Sequence, residues 1–190
     1  PSASVLALAR ARARAPRAGE AELLAVANPA GPAGRSLPGA LDEVRALDAR
    51  YRGARVMERP RDAGSVLRAM AAARAVHVAA HAEFDPASPW RSTLALAEGD
   101  PVRARDLLAH RLPPGLVVLA ACETAGGRAR GSGGMEGLST ALLCAGTRGV
   151  IATLWPVGDR AARRFAEVFY EEAEGAPDAG AALSRARARL

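Results

Sequence analysis

Along the chain, short unbroken apolar runs alternate with stretches in which apolar residues return every three or four positions. The first pattern suits strands buried on both faces and the second suits amphipathic helices. Their alternation predicts an α/β fold, with a mostly parallel sheet flanked by helices on both faces. Residues 22–27 read as the first strand, closed by Asn28 and Pro29. Residues 40–51 follow as a helix with Leu41, Val44 and Leu47 at helical spacing. A second strand over residues 54–57 leads to Asp62, an N-cap for a helix bearing Val66, Leu67 and Met70. The chain returns through residues 75–81, a buried strand of small and branched residues with His81 at its C-terminal end.

Beyond His81 the pattern loosens. Residues 83–101 read as loop except for 93–97, whose apolar and branched residues suit a hairpin arm. Pro113, Pro114 and Gly115 stop the next helix. Residues 116–121 form the clearest strand of the chain, and Cys122 follows at once, ahead of a glycine-rich loop over 126–134. Met135, Leu138 and Leu142 give the next helix its apolar stripe, and residues 149–154 make another strand. Asp159 then caps a helix bearing Phe165, Val168 and Phe169, and a last helix carries Leu183 and Leu190.

Composition narrows the function classes. A chain of 190 residues is long enough for one domain with a continuous core, and short for two. Its apolar runs fall well below the roughly 18–20 residues of a membrane span, so no membrane partner is expected. No secretory leader pattern opens the sequence, and a start at Pro1 reads as a cut from something longer. The formal charge of +6 raises the question of nucleic acid. Every basic residue is Arg, however, amid abundant Ala and Gly, and the Arg10, Arg12, Arg14, Arg17 run lacks interleaved aromatics for base stacking. A solvated surface under coding bias is the simpler reading, with no nucleic-acid partner. Cys122 and Cys144 have no zinc-site spacing and imply no disulfide framework, which fits a reducing cytoplasm.

The chemistry lies at two strand ends. Ligands of open parallel sheets bind outside the C-terminal ends of the strands, where both His81 and Cys122 fall. Neighbouring strands are about 4.8 Å apart, so the two side chains can meet at one substrate carbonyl if those strands are adjacent. An imidazole can take the thiol proton and later return it to a leaving amine, which is acyl transfer by a Cys-His dyad. The backbone N–H groups of Cys122 and Ala82 are candidates to hold the oxyanion. Taken in isolation, the same two residues also fit a small buried hydrophobe and a satisfied core histidine.

Several segments resemble the CHAT family: Val76-His77-Val78-Ala79-Ala80-His81, the run from Leu116 into Cys122-Glu123-Thr124, and Thr153-Leu154-Trp155-Pro156-Val157. Leu37-Pro38-Gly39-Ala40, Ser92-Thr93-Leu94 and Phe169-Tyr170 extend the likeness over essentially the whole chain. The resemblance implies a bacterial cytoplasmic cysteine endopeptidase with a caspase-like fold, His81 and Cys122 as catalytic pair, and no cofactor or metal. It also implies a protein or peptide substrate, and a full-length chain carrying a tetratricopeptide-repeat (TPR) or other sensor region. Residues 19–190 would form the peptidase domain, and residues 1–18 part of a truncated larger one. Trp155 would line the substrate groove and Asp159 would pair with a basic residue before the scissile bond, as an acidic group does in related separases. One departure stands beside the site: the family has Gly after the catalytic histidine where this chain has Ala82, which keeps the N–H but resists positive φ.

Other constellations carry less. His77 and His81 lie four strand residues apart, about 13 Å, too far to share a metal, so His77 reads as a buried hydrogen-bonded residue. Cys144 reads as core packing, and Ser139 falls inside a helix, where no nucleophile elbow can form. The Gly131-Ser132-Gly133-Gly134 stretch lacks the rest of a phosphate-binding fingerprint, which leaves a nucleotide-binding domain as a weaker reading. A non-catalytic interaction module with a caspase-like fold is the main alternative to the peptidase.

Overall fold

A computed structural model of the chain describes residues 21–31, 36–51, 53–85, 87–112, 115–120, 133–153, 157–176 and 178–190. The described strands are β1 (Ala21–Asn28), β2 (Arg55–Glu58), β3 (Ala73–Ala80), β4 (Ala82–Glu83), β5 (Thr93–Ala97), β6 (Asp100–Arg103), β7 (Leu116–Leu119) and β8 (Gly149–Ala152). A five-stranded sheet runs in the order β2-β1-β3-β7-β8, and every pairing in it is parallel. Strands β4, β5 and β6 form a separate antiparallel sheet of three. The helices are α1 (Gly39–Arg50), α2 (Ala63–Ala71), α3 (Ala104–Leu107), α4 (Gly133–Ala145), α5 (Asp159–Glu174) and α6 (Ala179–Arg189).

Strand side chains alternate between the two faces, and each face has its own core. Leu24, Val26, Val76, Val78, Val117 and Leu119 pack with Val66, Leu67 and Met70 of α2 and with Leu138 and Leu142 of α4. Leu23, Ala25, Ala27 and Val118 pack with Val44 and Leu47 of α1, with Val168 and Phe169 of α5, and with Ala182 and Ala186 of α6. Burial of one Leu or Phe is worth about 1.5–3 kcal/mol. The Asp62 cap of α2, which accepts from Gly64 N–H and Ser65 N–H, contributes about 1 kcal/mol. Packing therefore holds the helices, and the cap sets where α2 begins. No helix among the described residues is long and apolar enough to cross a membrane.

The structure departs from the sequence pattern in three places. Residues 83–101 hold more than one hairpin arm, because β4 and β6 flank β5 on both sides. Strand β7 stops at Leu119, two residues before the end of the apolar run. Cys144 is exposed on α4 rather than packed in the core. The neighbouring helix positions Ala141, Leu142 and Ala145 supply the buried face, which turns residue 144 outward.

Candidate active site

His81 occupies the single residue between β3 and β4, where the chain leaves the large sheet for the small one. Its side chain is buried, 1% exposed, and lines a cleft of about 240 Å³ with Glu83, Thr93, Ala95 and Ala97 on one side and Ala30 and Gly31 on the other. The Ala95 N–H donates to the His81 carbonyl at 2.9 Å. Ala82 faces Leu94 across the antiparallel pair as a position that exchanges no hydrogen bond with it, so the Ala82 N–H is directed away from β5. Among the described non-glycine residues only Arg59 has positive φ. Ala82 is thus an ordinary extended residue, and the methyl group in place of a glycine hydrogen strains nothing there.

β3 and β7 are neighbours, paired from Ala75↔Leu116 to Val78↔Leu119, and Ala120 N–H extends the ladder to the Val78 carbonyl at 2.9 Å. His81 and Cys122 are each the third residue beyond the Val78↔Leu119 pair. Cys122 and Trp155 both lie outside the described residues.

A second cleft, about 270 Å³, opens at the ends of β3, β7 and β8, under the N-termini of α1 and α5. Ala79, Ala120 and Thr153 line its strand side, and Glu43 and Asp159 are its charged residues. Glu43 Oε1 is 2.8 Å from His77 Nε2, with both side chains out of solvent. The Tyr170 hydroxyl lies 3.4 Å from His77 Nδ1, and its ring meets the imidazole edge-on. A carboxylate only accepts, so Nε2 carries the proton and Nδ1 accepts from the phenol. Burial pushes the Tyr170 phenol far above its ordinary pKa, with Tyr51 and Glu43 adding to the shift. His77 is therefore held in a polar network within the core, and no cluster of metal-ligating residues occurs among the described residues.

Asp159 is not the cap of its own helix. Gly158 takes that position without a side-chain hydrogen bond, and Asp159 is the first helical residue of α5. Its Oδ2 instead accepts from the Gly39 N–H of α1 at 2.9 Å. The carboxylate caps α1, whose own N-cap residue is Pro38, with no side chain able to serve. Gly39 permits the contact, since a Cβ there would stand 2.6 Å from the Asp159 Cβ.

Two parts of this region escape a reading of the sequence. Glu43 shares the buried face of α1 with Ala40, Val44 and Leu47. A carboxylate three residues after one apolar position and four before another was the available signal. Asn28, which reads as a strand terminator, is 1% exposed and joins the two sheets through its amide; nothing in its local sequence marks that role.

The chain matches the CHAT domain family over residues 1–190. It belongs to that family. The parallel five-stranded sheet with helices on both faces is the caspase-like architecture expected of a CHAT domain. No curated protein matches the chain.

Proposed function

We propose that this CHAT domain is a cysteine endopeptidase that cleaves protein substrates with Cys122 as nucleophile and His81 as general base and acid, under control of an attached TPR or other sensor region in the cytoplasm. The observation that carries this reading is the pairing of β3 with β7, whose ends lead to His81 and Cys122 in a chain of a caspase-like family. His81 takes the proton from the Cys122 thiol, and the thiolate adds to the scissile carbonyl. The N–H groups of Ala82 and Cys122 receive the oxyanion. Collapse breaks the C–N bond and the departing amine takes its proton from His81. Water, deprotonated by His81, then hydrolyses the thioester and restores the thiol.

The acidic cleft supports a basic residue before the scissile bond. Its charged lining is Glu43 and Asp159, and no basic side chain lines it among the described residues. Each carboxylate engages one known partner and keeps capacity for more, since a carboxylate accepts about four hydrogen bonds. Trp155, two residues after the cleft-lining Thr153, lines the same groove in this reading. β8 is an edge of the described sheet, which suits an extended peptide added as a further strand.

The test is covalent labelling of the full-length protein by a peptide electrophile directed at thiols. The expected result is stoichiometric labelling that disappears in Cys122→Ala and falls in His81→Ala. Equal labelling of Cys122→Ala would leave the interaction-module reading in its place.

A further inference from the structure

Two clefts flank the strand that leads to His81, the acidic one and the one of about 240 Å³ that His81 itself lines. Strand order fixes their sides. Cys122 follows β7 in sequence, and the strand residues of the acidic cleft stand at the ends of β3, β7 and β8, with Ser36, Leu37 and Ala40 closing it from the side of α1. The 240 Å³ cleft lies toward β1, between the residues that follow β1 and the face of the three-stranded sheet. A scissile bond attacked by sulfur on the β7 side and protonated by the imidazole turns its nitrogen toward His81. Whatever follows that nitrogen in the substrate continues past the imidazole, toward β1.

The cleft is braced. Asn28, buried at the end of β1, accepts from the Ala30 N–H at 3.2 Å and donates through Nδ2 to the Ala95 carbonyl at 3.0 Å. Ala95 in turn donates its N–H to the His81 carbonyl. One hydrogen-bond chain therefore ties wall and floor to the backbone of His81. The floor residues of β5 that line the cleft are Thr93, Ala95 and Ala97, while Leu94 and Leu96 of the same strand are turned into the core. Small side chains on a braced strand leave room above them. That room is below the roughly 300–1,000 Å³ of sites that enclose a whole small ligand, so it suits a residue of a polypeptide rather than a cofactor.

We propose that this cleft binds the residue immediately after the scissile bond, and that Ala95 sets the size it accepts, with large apolar side chains preferred. The proposal rests on the cysteine-peptidase reading, and its test separates the two. Peptides carrying every residue before the scissile bond are made in two series: one ends in a methyl ester, with no residue after the bond, and the other continues with Ala, Leu or Phe after the bond. Full-length wild type should prefer Leu and Phe over Ala in that position. Ala95→Leu fills the cleft and should lower kcat/KM for the Leu and Phe peptides by about tenfold, the scale of methylene-sized changes in an apolar pocket. Its turnover of the methyl esters, which place no side chain in the cleft, should change less than twofold. Thr93→Leu, on the partly exposed face of the same strand, provides a second variant, and a thermal melt reports folding of both.

Equal loss on both series, or no loss on either in a folded variant, would overturn the assignment of this cleft while leaving the peptidase intact. Wild-type protein that turns over no peptide of either series and takes no Cys122-dependent label would remove the peptidase reading and this inference with it.

Discussion

Removing one partner from the Glu43–His77 pair tests the physics of the acidic cleft most directly. His77 is 0% and Glu43 3% exposed, and their polar atoms are 2.8 Å apart. Glu43→Ala strips the acceptor from a buried imidazole N–H, a kind of break that costs about 1–3 kcal/mol, here at the upper end because the lost acceptor was charged. That is a large share of the roughly 5–15 kcal/mol that holds a domain together. Glu43→Gln keeps an amide oxygen at nearly the same reach and gives up only the charge-assisted part of the bond, so its cost should be about 1–2 kcal/mol. Replacing both partners by Leu together with Tyr170→Phe, whose hydroxyl would otherwise lose its acceptor, removes the polar groups together, and such a swap is often close to neutral. Urea unfolding followed by circular dichroism should therefore rank Glu43→Ala as the least stable, Glu43→Gln as intermediate and the triple variant nearest to wild type. For a domain of this size, Glu43→Ala should also lower Tm on the order of 10 °C. If Glu43→Ala and Glu43→Gln unfold within about 0.5 kcal/mol of each other, the spread expected of an ordinary surface change, the hydrogen bond to His77 is not what holds the carboxylate and the reasoning fails.

Gly39→Ala puts a Cβ 2.6 Å from the Asp159 Cβ, so it should cost about 1–3 kcal/mol, and Asp159→Gly, which removes that Cβ, should cancel much of that cost in a double-mutant cycle of urea midpoints. Purely additive effects would contradict the contact. Gly137→Ala should be worse, because its Cβ would meet the backbone oxygen of Pro89 at 2.1 Å, which no side-chain rotation relieves; a melting temperature equal to wild type would argue against so close an approach of α4. Tyr170 stays protonated in the fold well above its ordinary pKa, so the stability it carries is complete below about pH 10 and is lost as pH rises beyond that. Urea midpoints at pH 8.5 and 10.5 should fall more for wild type than for Tyr170→Phe, and an equal fall in both would refute the assignment.

The elements that could be read from sequence are those whose pattern decides burial by itself. The runs around β1, β3 and β7 are apolar on both faces and lie in the middle of the sheet. Asp62 was legible as a cap because the N–H groups that donate to it belong to its own next residues, Gly64 and Ser65. Asp159 stands one position further in, as the first residue of α5, and its partner Gly39 is 120 residues away. No local rule distinguishes a carboxylate that caps its own helix from one that caps another, since the choice depends on how α1 and α5 pack. Cys144 fails for a related reason. Position 144 lies beside a dense apolar stripe, and only the helix phase set by Leu138, Ala141, Leu142 and Ala145 puts it outside.

The departure at Ala82 shows how a local exception is resolved by its surroundings. A glycine after the histidine would be required if the chain turned there through a positive φ. Here it does not turn. β4 begins at Ala82, and the hydrogen bond from Ala95 to the His81 carbonyl carries the chain directly from one sheet into the next. Extended backbone accepts any side chain, and in this register the Ala82 methyl belongs to the core beside Leu94 while its N–H is turned from β5. The strand pairing that makes alanine acceptable is therefore also what aims the backbone donor. In the proposed mechanism the property of this position that bears on the oxyanion is its hydrogen-bond register, and that is a consequence of β5.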